Sequence, residues 1–496
     1  MEGLLHGFVV AFTPTNLLFA LIGCFLGTLV GVLPGIGPIG SMALLLGATY
    51  GLPPVTAIIM FAGIYYGSMY GGSTTSILVN IPGESSSVVT AIDGNQMARK
   101  GRGGAALSLA AIGSFVAGTI GLIILTMLAP ALATLAVKFG PPEYFAIALF
   151  GLMMLSQLSG EGFIKSLLMV TMGLAIGTVG LDMITGLPRF TFGNLDLQTG
   201  IDFVPMAMGL FGIAEVLLIA EQKVQENKEV IKVKLRDLLP NRDEAKRSVG
   251  PTLRGSILGF FIGLIPGPSA VIGTFTSYIL EKKISRHPEE FGKGAPEGVA
   301  GPESANNSAA TGAFVPLLSL GIPFAPPTAL LLSAMLIHGI TPGPLLMTDH
   351  PDIFWGVIAS MYIGNVMLLA LNLPLVGLFV RLLRTPSNLL MPIIVVLCII
   401  GAFAVNSTVT DIMIMVISGV AGYLFRKIGL PVAPLLLALV IGPMMEESLR
   451  QSLLLSQGSF SIFVTQPLAR TLLIITALVI IVPRFFKVFK KKAQTN

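Results

Sequence analysis

The sequence predicts an all-α polytopic membrane protein, and three observations support this fold class. Of the 496 residues, 53% are hydrophobic and only 11% are charged, whereas soluble globular proteins carry about 25% charged residues. The mean hydropathy of +0.86 points the same way. The charges are also segregated, because no Lys or Arg precedes Arg99 and none lies between Lys293 and Arg381. Stretches of this kind are typical of helices embedded in lipid.

The apolar segments, taken in chain order, define the expected helices. They lie at 16–34, 39–52, 54–71, 105–137, 142–159, 163–181, 203–220, 251–265, 268–280, 304–321, 324–341, 353–380, 388–405, 409–425, 431–445 and 468–483. A straight helix needs about 20 apolar residues to cross a bilayer, so the shorter segments predict half-helices and re-entrant hairpins. We expect about 11 to 14 spanning or half-spanning elements in total.

Basic residues cluster in a few loops and give an orientation. They lie at 99–102, 223–254 and 282–293 and in the C-terminal tail at 484–492. The positive-inside rule places these segments in the cytoplasm, with the C-terminus cytoplasmic and the N-terminus outside. Because the net charge of +5 resides in loops, it indicates membrane topology and no nucleic-acid partner.

The first ten residues and the two cysteines add little to this assignment. MEGLLHGFVV has neither a basic region nor a small-residue cleavage site, so we expect no removable signal peptide. Cys24 and Cys398 lie in apolar runs, and we expect them to be reduced and buried, without a disulfide or a metal.

The two halves of the chain resemble each other on either side of a charged segment at 223–250, which we predict to be a cytoplasmic linker. In this division the first membrane repeat covers 1–222 and the second covers 251–496. GTLVGVLPGIGP (27–38) pairs with GFFIGLIPGPSA (259–270), and the NIPG near Pro82 pairs with the LGIP near Pro323. Basic residues follow only the first of these motifs, which predicts repeats of inverted topology. Chance recurrence in a chain with 57 Gly and 33 Pro is the alternative.

A broken-helix hairpin is predicted near 70–94, where Pro82 and Gly83 interrupt a helix rich in small polar residues. Backbone groups freed by such a break in lipid persist only if they line a cavity or meet a ligand. We predict that the resumed half-helix holds a substrate carboxylate at its N-terminus, through Ser85, Ser86 and Ser87 together with the amide of Asn80. Upstream, Ser73, Thr74 and Thr75 offer oxygen ligands for Na⁺. The alternative is that these small residues only permit close helix packing.

A second hairpin is predicted near 303–343. Glu303, Asn306, Asn307 and Ser308 precede a long apolar stretch, and we predict the last three as Na⁺ ligands; the alternative is a helix cap. The break at Gly321 and Pro323, with Phe324 and Thr328, is predicted to contact substrate. Two Pro-Gly loops are expected to support the hairpin tips through Pro34, Gly35, Gly37, Pro266 and Gly267.

The sequence lacks common motifs of enzymes: there is no GxxxxGK[ST], HExxH or CxxC. We therefore predict that the protein is not an enzyme and holds no cofactor. Transport is then driven by an ion gradient, or the protein is a facilitator. A membrane-embedded enzyme acting on lipids would need clustered acidic and His residues at a membrane edge, and no such motif occurs in the sequence.

Specific motifs extend over nearly the whole chain: VGVLPGIGP, YGGSTTSILVNIPGESSSVVTAIDGNQMARKGRGG, and FGKGAPEGVAGPESANNSAATG followed by LGIP and IHGITPGP. With these motifs the chain resembles the large membrane subunit of the bacterial tripartite tricarboxylate transporters. The resemblance implies Na⁺-coupled carboxylate uptake across the cytoplasmic membrane, with a periplasmic solute-binding protein and a small four-helix membrane subunit as partners. It also implies a similarity to elevator-type transporters, and it leaves open whether the complex is a homodimer.

One departure from the family's pattern concerns the substrate. The second break of the family resembles GIP followed by Gly-Ser-Gly-Thr-Thr, whereas this sequence reads GIPFAPPTA. Fewer hydroxyls and N–H donors remain for a second or third carboxylate. We hypothesise a substrate with fewer carboxylates or with an apolar or aromatic body. A stand-alone carboxylate permease, working without a binding protein, is the alternative function.

Overall fold

The structure is a computed structural model that describes residues 2–33, 37–49, 51–158, 162–182, 184–221, 235–382 and 387–493. Its helices are α1 Glu2–Ala11, α2 Pro14–Gly31, α3 Gly37–Leu46, α4 Pro54–Val79, α5 Val88–Met97, α6 Gly103–Ala136, α7 Pro141–Leu158, α8 Phe163–Gly177, α9 Phe203–Ala207, α10 Ala214–Glu221, α11 Arg242–Gly263, α12 Ser269–Ile284, α13 Glu297–Gly312, α14 Phe314–Leu320, α15 Pro326–Ile337, α16 Leu346–Asp349, α17 Pro351–Asn372, α18 Val376–Leu382, α19 Ser387–Asn406, α20 Val409–Lys427, α21 Val432–Leu455, α22 Ile462–Thr465 and α23 Pro467–Ala493. One short antiparallel pair, β1 Gly180–Leu181 with β2 Pro188–Arg189, joins them.

The predicted all-α polytopic class is confirmed. Six helical segments among the described residues are long and apolar enough to cross a membrane, and shorter apolar helices accompany them. The six are 14–31, 85–136, 203–221, 351–372, 409–427 and 432–455. Large apolar side chains are exposed along α19, α20 and α23, and lipid is the solvent in which such surfaces are stable.

Two helix pairs pack through stripes of glycine, one pair in each half of the chain. In the first half, α2 lies against α4: an added Cβ at Gly23, Gly27 or Gly31 would come within 2.2–2.4 Å of a main-chain oxygen of α4. These glycines therefore bring the two backbones into direct contact, as small residues do between membrane helices.

The second half contains the same arrangement. Here α11 lies against α13, and a Cβ at Gly255, Gly259 or Gly263 would come within 2.3–2.4 Å of a main-chain oxygen of α13. Each glycine follows its counterpart on α2 by 232 residues, the offset that also relates Pro34 to Pro266. The repeated packing supports duplication of the chain, while the inverted orientation of the halves stays a prediction.

Both predicted hairpins contain a helix break in the predicted place. α4 ends at Val79, Asn80 takes a left-handed φ of 58°, and a 3-10 turn at 85–87 leads into α5. α14 ends before Gly321 at φ 72°, and α15 resumes at Pro326. The chain reverses at each break because a left-handed residue ends the first helical piece and prolines follow it.

Two local expectations differ from the structure. Residues 242–250, predicted within the charged linker, form the first turns of α11, which Asn241 caps by accepting the N–H of Glu244 at 2.8 Å; residues 222–234 lie outside the described residues. Asn306 and Asn307 lie in the interior of α13 and are fully buried, so the structure contradicts the helix-cap alternative.

Candidate functional site

Both helix breaks face two adjoining cavities, which are called the vestibule below. With the open solvent at their mouths included, the larger cavity takes up about 1350 Å³ and the smaller one about 910 Å³. The two cavities share the lining residues Pro38, Ile39, Glu84, Ser85, Phe211, Pro431 and Ala433. Residues 82–86 of the first break, 325–327 of the second break and the 267–271 loop complete the walls. Four segments that the sequence predicts as a site thus converge on one space.

The tip of the first break is polar. Ser85 and Ser86 line the vestibule beside Glu84. Ser87 faces inward, where its Oγ donates to the Glu84 carbonyl at 2.9 Å and accepts from Ser76 Oγ at 2.8 Å. Ser85 and Ser86 are therefore placed to meet a solute, and Ser87 stabilises the turn.

The tip of the second break is apolar. Ala325, Pro326 and Pro327 line the vestibule, and the two prolines at the start of α15 have no N–H to donate. Thr328 uses its hydroxyl to cap its own helix, since it donates to the Ala325 carbonyl at 2.7 Å.

Phe324 lies behind this surface. Its carbonyl accepts the N–H of Gly267 at 2.8 Å, and its side chain is buried in an apolar cluster with Ile147, Leu152 and Ile322. Gly321 and Pro323 shape the bend on the same buried side. The aromatic ring that the structure places at the vestibule wall is instead that of Phe211.

A cluster of buried polar side chains surrounds Glu303 in the middle of α13. One carboxylate oxygen of Glu303 accepts from Ser73 Oγ of α4 at 2.7 Å, and the other accepts from Thr90 of α5. Glu303 is 1% exposed and has no Lys, Arg or His within 4.0 Å among the described residues. A carboxylate in such surroundings is costly without a compensating ligand or a proton.

Asn306 and Asn307 continue this cluster. The Asn306 Nδ2 donates to Glu84 Oε1 at 2.9 Å, and the Asn307 Nδ2 donates to Ser114 Oγ at 2.7 Å. Their Oδ1 atoms are buried and have no hydrogen-bond partner within the described part of the chain. Two buried oxygen acceptors are thus left free, that of Asn306 beside the Glu84 carboxylate and that of Asn307 one turn after Glu303, and free oxygens of this kind suit a cation.

The other predicted Na⁺ ligands occupy different surroundings. Thr74 lines a small separate cavity of 330 Å³ together with Ser73, Ser114 and Glu303. Thr75 donates to the Val32 carbonyl at 2.6 Å, and Ser308 donates to the Ser256 carbonyl at 2.5 Å. These last two hydroxyls bind the glycine-striped helix pairs together in the two halves.

Of the remaining predicted positions, Gly37 and Gly267 line the vestibule, and Asn80 and Pro266 line neither cavity. Gly37, at φ 60°, begins α3 at the wall, and Gly267, at φ 131°, lies at the second tip beside Pro266. Pro34 and Gly35 are outside the described residues. Asn80 forms the left-handed end of α4 and is exposed.

Sequence reasoning missed two charged residues of the vestibule. Glu84 follows the Pro-Gly break directly, and an acidic residue inside an apolar hairpin was the signal that could have found it. Arg426 lines the larger cavity; its guanidinium pairs with Glu215 at 2.5 Å and lies 5.5 Å from the Phe211 ring centroid.

A separate polar network surrounds another cavity, between the β1–β2 loop and the C-terminal part of α21. Asp182 Oδ2 accepts from Arg450 at 2.7 Å, and Arg189 pairs with Glu446 at 2.7 Å. The N–H groups of Thr185 and Ile184 and the Arg450 guanidinium hold the pKa of the Asp182 carboxyl well below its usual range. The network therefore joins the β1–β2 loop to the C-terminal part of α21.

One exposed group of possible metal ligands, His287, Glu289 and Glu290, brings its ligand atoms within 4.8 Å of one another. Glu290 is bonded to Arg247 at 2.6 Å. This ion pair accounts for its position, and the group carries no functional assignment.

The fold and the site together define a multi-pass membrane protein with a transporter's architecture. Two broken helices meet at a cavity between packed apolar helices, and buried oxygen ligands lie directly behind one of the breaks. Discontinuous helices of this kind form substrate and ion sites in secondary transporters.

The chain belongs to the tripartite tricarboxylate transporter TctA family, which matches residues 17–437. The protein is thus a component of a tripartite transporter, and the resemblance inferred from its motifs is confirmed. Its family is one of transporter components, which agrees with the prediction that it is not an enzyme.

Two relatives come from Agrobacterium vitis. The chain is 50% identical over 467 residues to the "Uncharacterized 52.8 kDa protein in TAR-I ttuC' 3'region", covering 94% of this chain and 93% of that protein. It is 49% identical over 215 residues to the "Uncharacterized protein in TAR-II ttuC' 3'region", covering 43% of this chain and 89% of that protein. No solved structure matches the chain significantly.

Proposed function

We propose that this chain is the large permease subunit of a secondary, Na⁺-coupled carboxylate uptake system in the bacterial cytoplasmic membrane, with its C-terminus in the cytoplasm. The observation that carries the proposal is the vestibule, where a polar tip, an apolar tip and buried oxygen ligands meet. The family supplies the partners that we propose: a small membrane subunit and a periplasmic solute-binding protein that delivers the substrate.

The polar tip is the proposed carboxylate site. Ser85 and Ser86 line the vestibule at the start of the resumed half-helix, and the N-terminal end of a helix attracts an anion through its free N–H groups and its dipole. The hydroxyls add further donors for the carboxylate oxygens.

The apolar tip supports a substrate with few carboxylates. Pro326 and Pro327 remove two N–H donors at the start of α15, and Thr328 is occupied as a cap. A second or third carboxylate placed there would lose its hydration without gaining hydrogen bonds. Because Phe324 is buried, an apolar or aromatic body would contact Phe211 and the prolines.

The coupling ion is proposed to bind among the oxygens near Glu303. Ser73 and Thr74 line the small cavity beside this carboxylate, Asn307 donates to the Glu303 main-chain carbonyl, and Asn306 follows on the same helix beside Glu84; Na⁺ prefers oxygen ligands of this kind. The hydroxyls of Thr75 and Ser308 already bond to carbonyls of neighbouring helices. In the proposed elevator mechanism, both hairpins and this ion site move as one body against the other helices.

Uptake into proteoliposomes tests the proposal. The membrane complex would be reconstituted with and without a Na⁺ gradient and the binding protein, and a panel of radiolabelled mono-, di- and tricarboxylates, including aromatic ones, would be supplied. We expect uptake of one carboxylate that requires both. Uptake that is indifferent to both would favour the alternative, a stand-alone carboxylate permease.

Substitution of Asn306 tests the ion site within the same assay. Asn306→Ala removes a buried free amide oxygen, so we expect the Na⁺ concentration for half-maximal uptake to rise about tenfold, the effect of losing about 1.4 kcal/mol of ion binding. Ser308→Ala is the matched control, since it lies on the same helix and is equally buried but bonds to Ser256. If both variants keep the wild-type Na⁺ dependence, Asn306 is not a ligand.

A further inference from the structure

Within the described part of the chain, Glu84 is the one acidic side chain that lines both cavities of the vestibule. It lies at the tip that we propose for the substrate carboxylate, directly before Ser85. Its side chain rests on α4, where a Cβ added to Gly72 would lie 3.1 Å from Glu84 Cγ. The Ser87 hydroxyl holds the backbone of this turn, since it donates to the Glu84 carbonyl at 2.9 Å.

The negative charge of Glu84 is not balanced by a basic side chain. Among the described residues no Lys, Arg or His lies within 4.0 Å of its carboxylate, and Arg426 across the vestibule is paired with Glu215. Its side-chain donor is the neutral amide of Asn306. An anionic substrate entering this tip therefore meets a like charge in a partly desolvated place, where repulsion is stronger than in water.

Free oxygen atoms adjoin Glu84. The Asn306 Oδ1 belongs to the same planar amide that binds Glu84, is fully buried and has no partner in the described structure. The Ser86 hydroxyl is directed at the Glu84 carboxylate, is 3% exposed and has no other hydrogen-bond partner among the described residues. A carboxylate oxygen, an amide oxygen and a hydroxyl oxygen form a partial ligand set for Na⁺, of which Glu84 and Ser86 line the vestibule and Asn306 lies behind them.

We propose that a Na⁺ ion binds between Glu84, Asn306 and Ser86, and that the carboxylate of the substrate completes its coordination. This inference rests on the proposed function and adds a second cation position to the one near Glu303, nearer the substrate. The bound Na⁺ makes the cavity wall at Glu84 attract the anionic substrate instead of repelling it, so the substrate binds well only after Na⁺. By thermodynamic linkage, the substrate strengthens Na⁺ binding by the same factor.

Removal of the Glu84 charge should uncouple substrate binding from Na⁺ binding. In Glu84→Gln the wall is neutral without Na⁺, so we expect substrate binding in choline chloride to rise at least tenfold and the enhancement by NaCl at equal ionic strength to disappear. In wild type we expect NaCl to increase substrate affinity at least tenfold over choline chloride. Glu84→Asp keeps the charge and should keep the Na⁺ requirement.

The experiment is equilibrium binding of the transported carboxylate to the purified membrane complex in NaCl and in choline chloride, for wild type, Glu84→Gln, Glu84→Asp and Ser86→Ala. Ser86→Ala leaves the charge in place and should weaken Na⁺ activation several-fold, which keeps the test decisive if Glu84→Gln does not fold. If wild type binds the substrate in a Na⁺-dependent manner and both Glu84→Gln and Ser86→Ala keep this dependence unchanged, this inference is wrong. The proposed function is then unaffected. Wild-type binding that is equal in both salts overturns the proposed Na⁺ coupling itself.

Discussion

Neutralising Asp93 should detach the end of the first hairpin from the second half of the chain. Asp93 Oδ1 accepts three main-chain N–H groups, from Gly292, Gly294 and Ala295, at 2.9, 2.7 and 2.9 Å, and Oδ2 accepts the hydroxyl of Tyr278 at 2.8 Å. The side chain is fully buried. It therefore joins α5 to the loop that precedes α13.

The magnitude follows from the three N–H bonds. Hydrogen bonds to a charged group contribute about 1.5–3 kcal/mol each and neutral ones about 0.5–1.5 kcal/mol, so Asp93→Asn weakens the three by about 3 kcal/mol in total. Relief of the buried charge offsets part of this loss. We expect a net destabilisation of about 2 kcal/mol, and about 1.5 kcal/mol for Tyr278→Phe, which removes a single bond to the carboxylate.

Thermal unfolding of the purified protein in detergent measures the effect. The Tm should fall in the order wild type, Tyr278→Phe, Asp93→Asn. Asp196→Asn is the control, because Asp196 lies on an exposed loop and its one side-chain bond, to Thr410, is exposed; surface changes usually stay within about 0.5 kcal/mol. A Tm of Asp93→Asn at or above that of wild type would refute the account of Asp93 as a clamp.

Three further predictions use other parts of the structure. Gly259→Ala should destabilise the protein by about 1–3 kcal/mol, because the added Cβ would lie 2.3 Å from the Ala305 carbonyl oxygen. Gly377 has open space around it, so the control Gly377→Ala should be neutral or stabilising in the same unfolding assay. Folding lowers the pKa of the Asp182 carboxyl. Its stabilising effect is therefore present above the ordinary pKa near 3.8 and is lost as the pH falls through the lower pKa of the folded state. Arg450→Ala should shift the acid-induced loss of Tm to higher pH, and an unchanged profile of Tm against pH would exclude this role. Pro327→Ser restores an N–H donor and adds a hydroxyl at the apolar tip, and should broaden binding toward tricarboxylates; an unchanged substrate profile in the uptake panel would argue against the apolar tip as the selectivity element.

The helix breaks could be predicted from the sequence because their causes are local. Pro82 with Gly83, and Gly321 with Pro323, interrupt a helix through backbone geometry that needs no distant partner. The start of α11 also has a local signal, Asn241 followed by Glu244, which is a capping box. The charge of the 223–250 segment concealed that signal, since acidic and basic residues at an exposed helix start resemble those of a linker.

Contacts between distant segments account for what could not be predicted. The position of Asn306 inside α13 depends on packing against α11 through Gly255, Gly259 and Gly263, and this packing overrides the preference of Asn for helix caps. The burial of Phe324 depends on the bond between its carbonyl and the N–H of Gly267, which turns the ring away from the vestibule. No local pattern specifies either contact.

The two tips have diverged in chemistry although their helix pairs have kept the same packing. The first tip offers Glu84, Ser85 and Ser86, whereas the second offers Ala325 and two prolines. Since the two tips face each other across one vestibule, a symmetric polycarboxylate would leave one of its charged ends against Pro326 and Pro327, where it has no donor. A solute with a carboxylate at one end and an apolar body at the other satisfies both walls. Under the proposed function, we therefore expect the asymmetry of the tips to orient the substrate, with its charge toward Glu84 and the proposed Na⁺ ion.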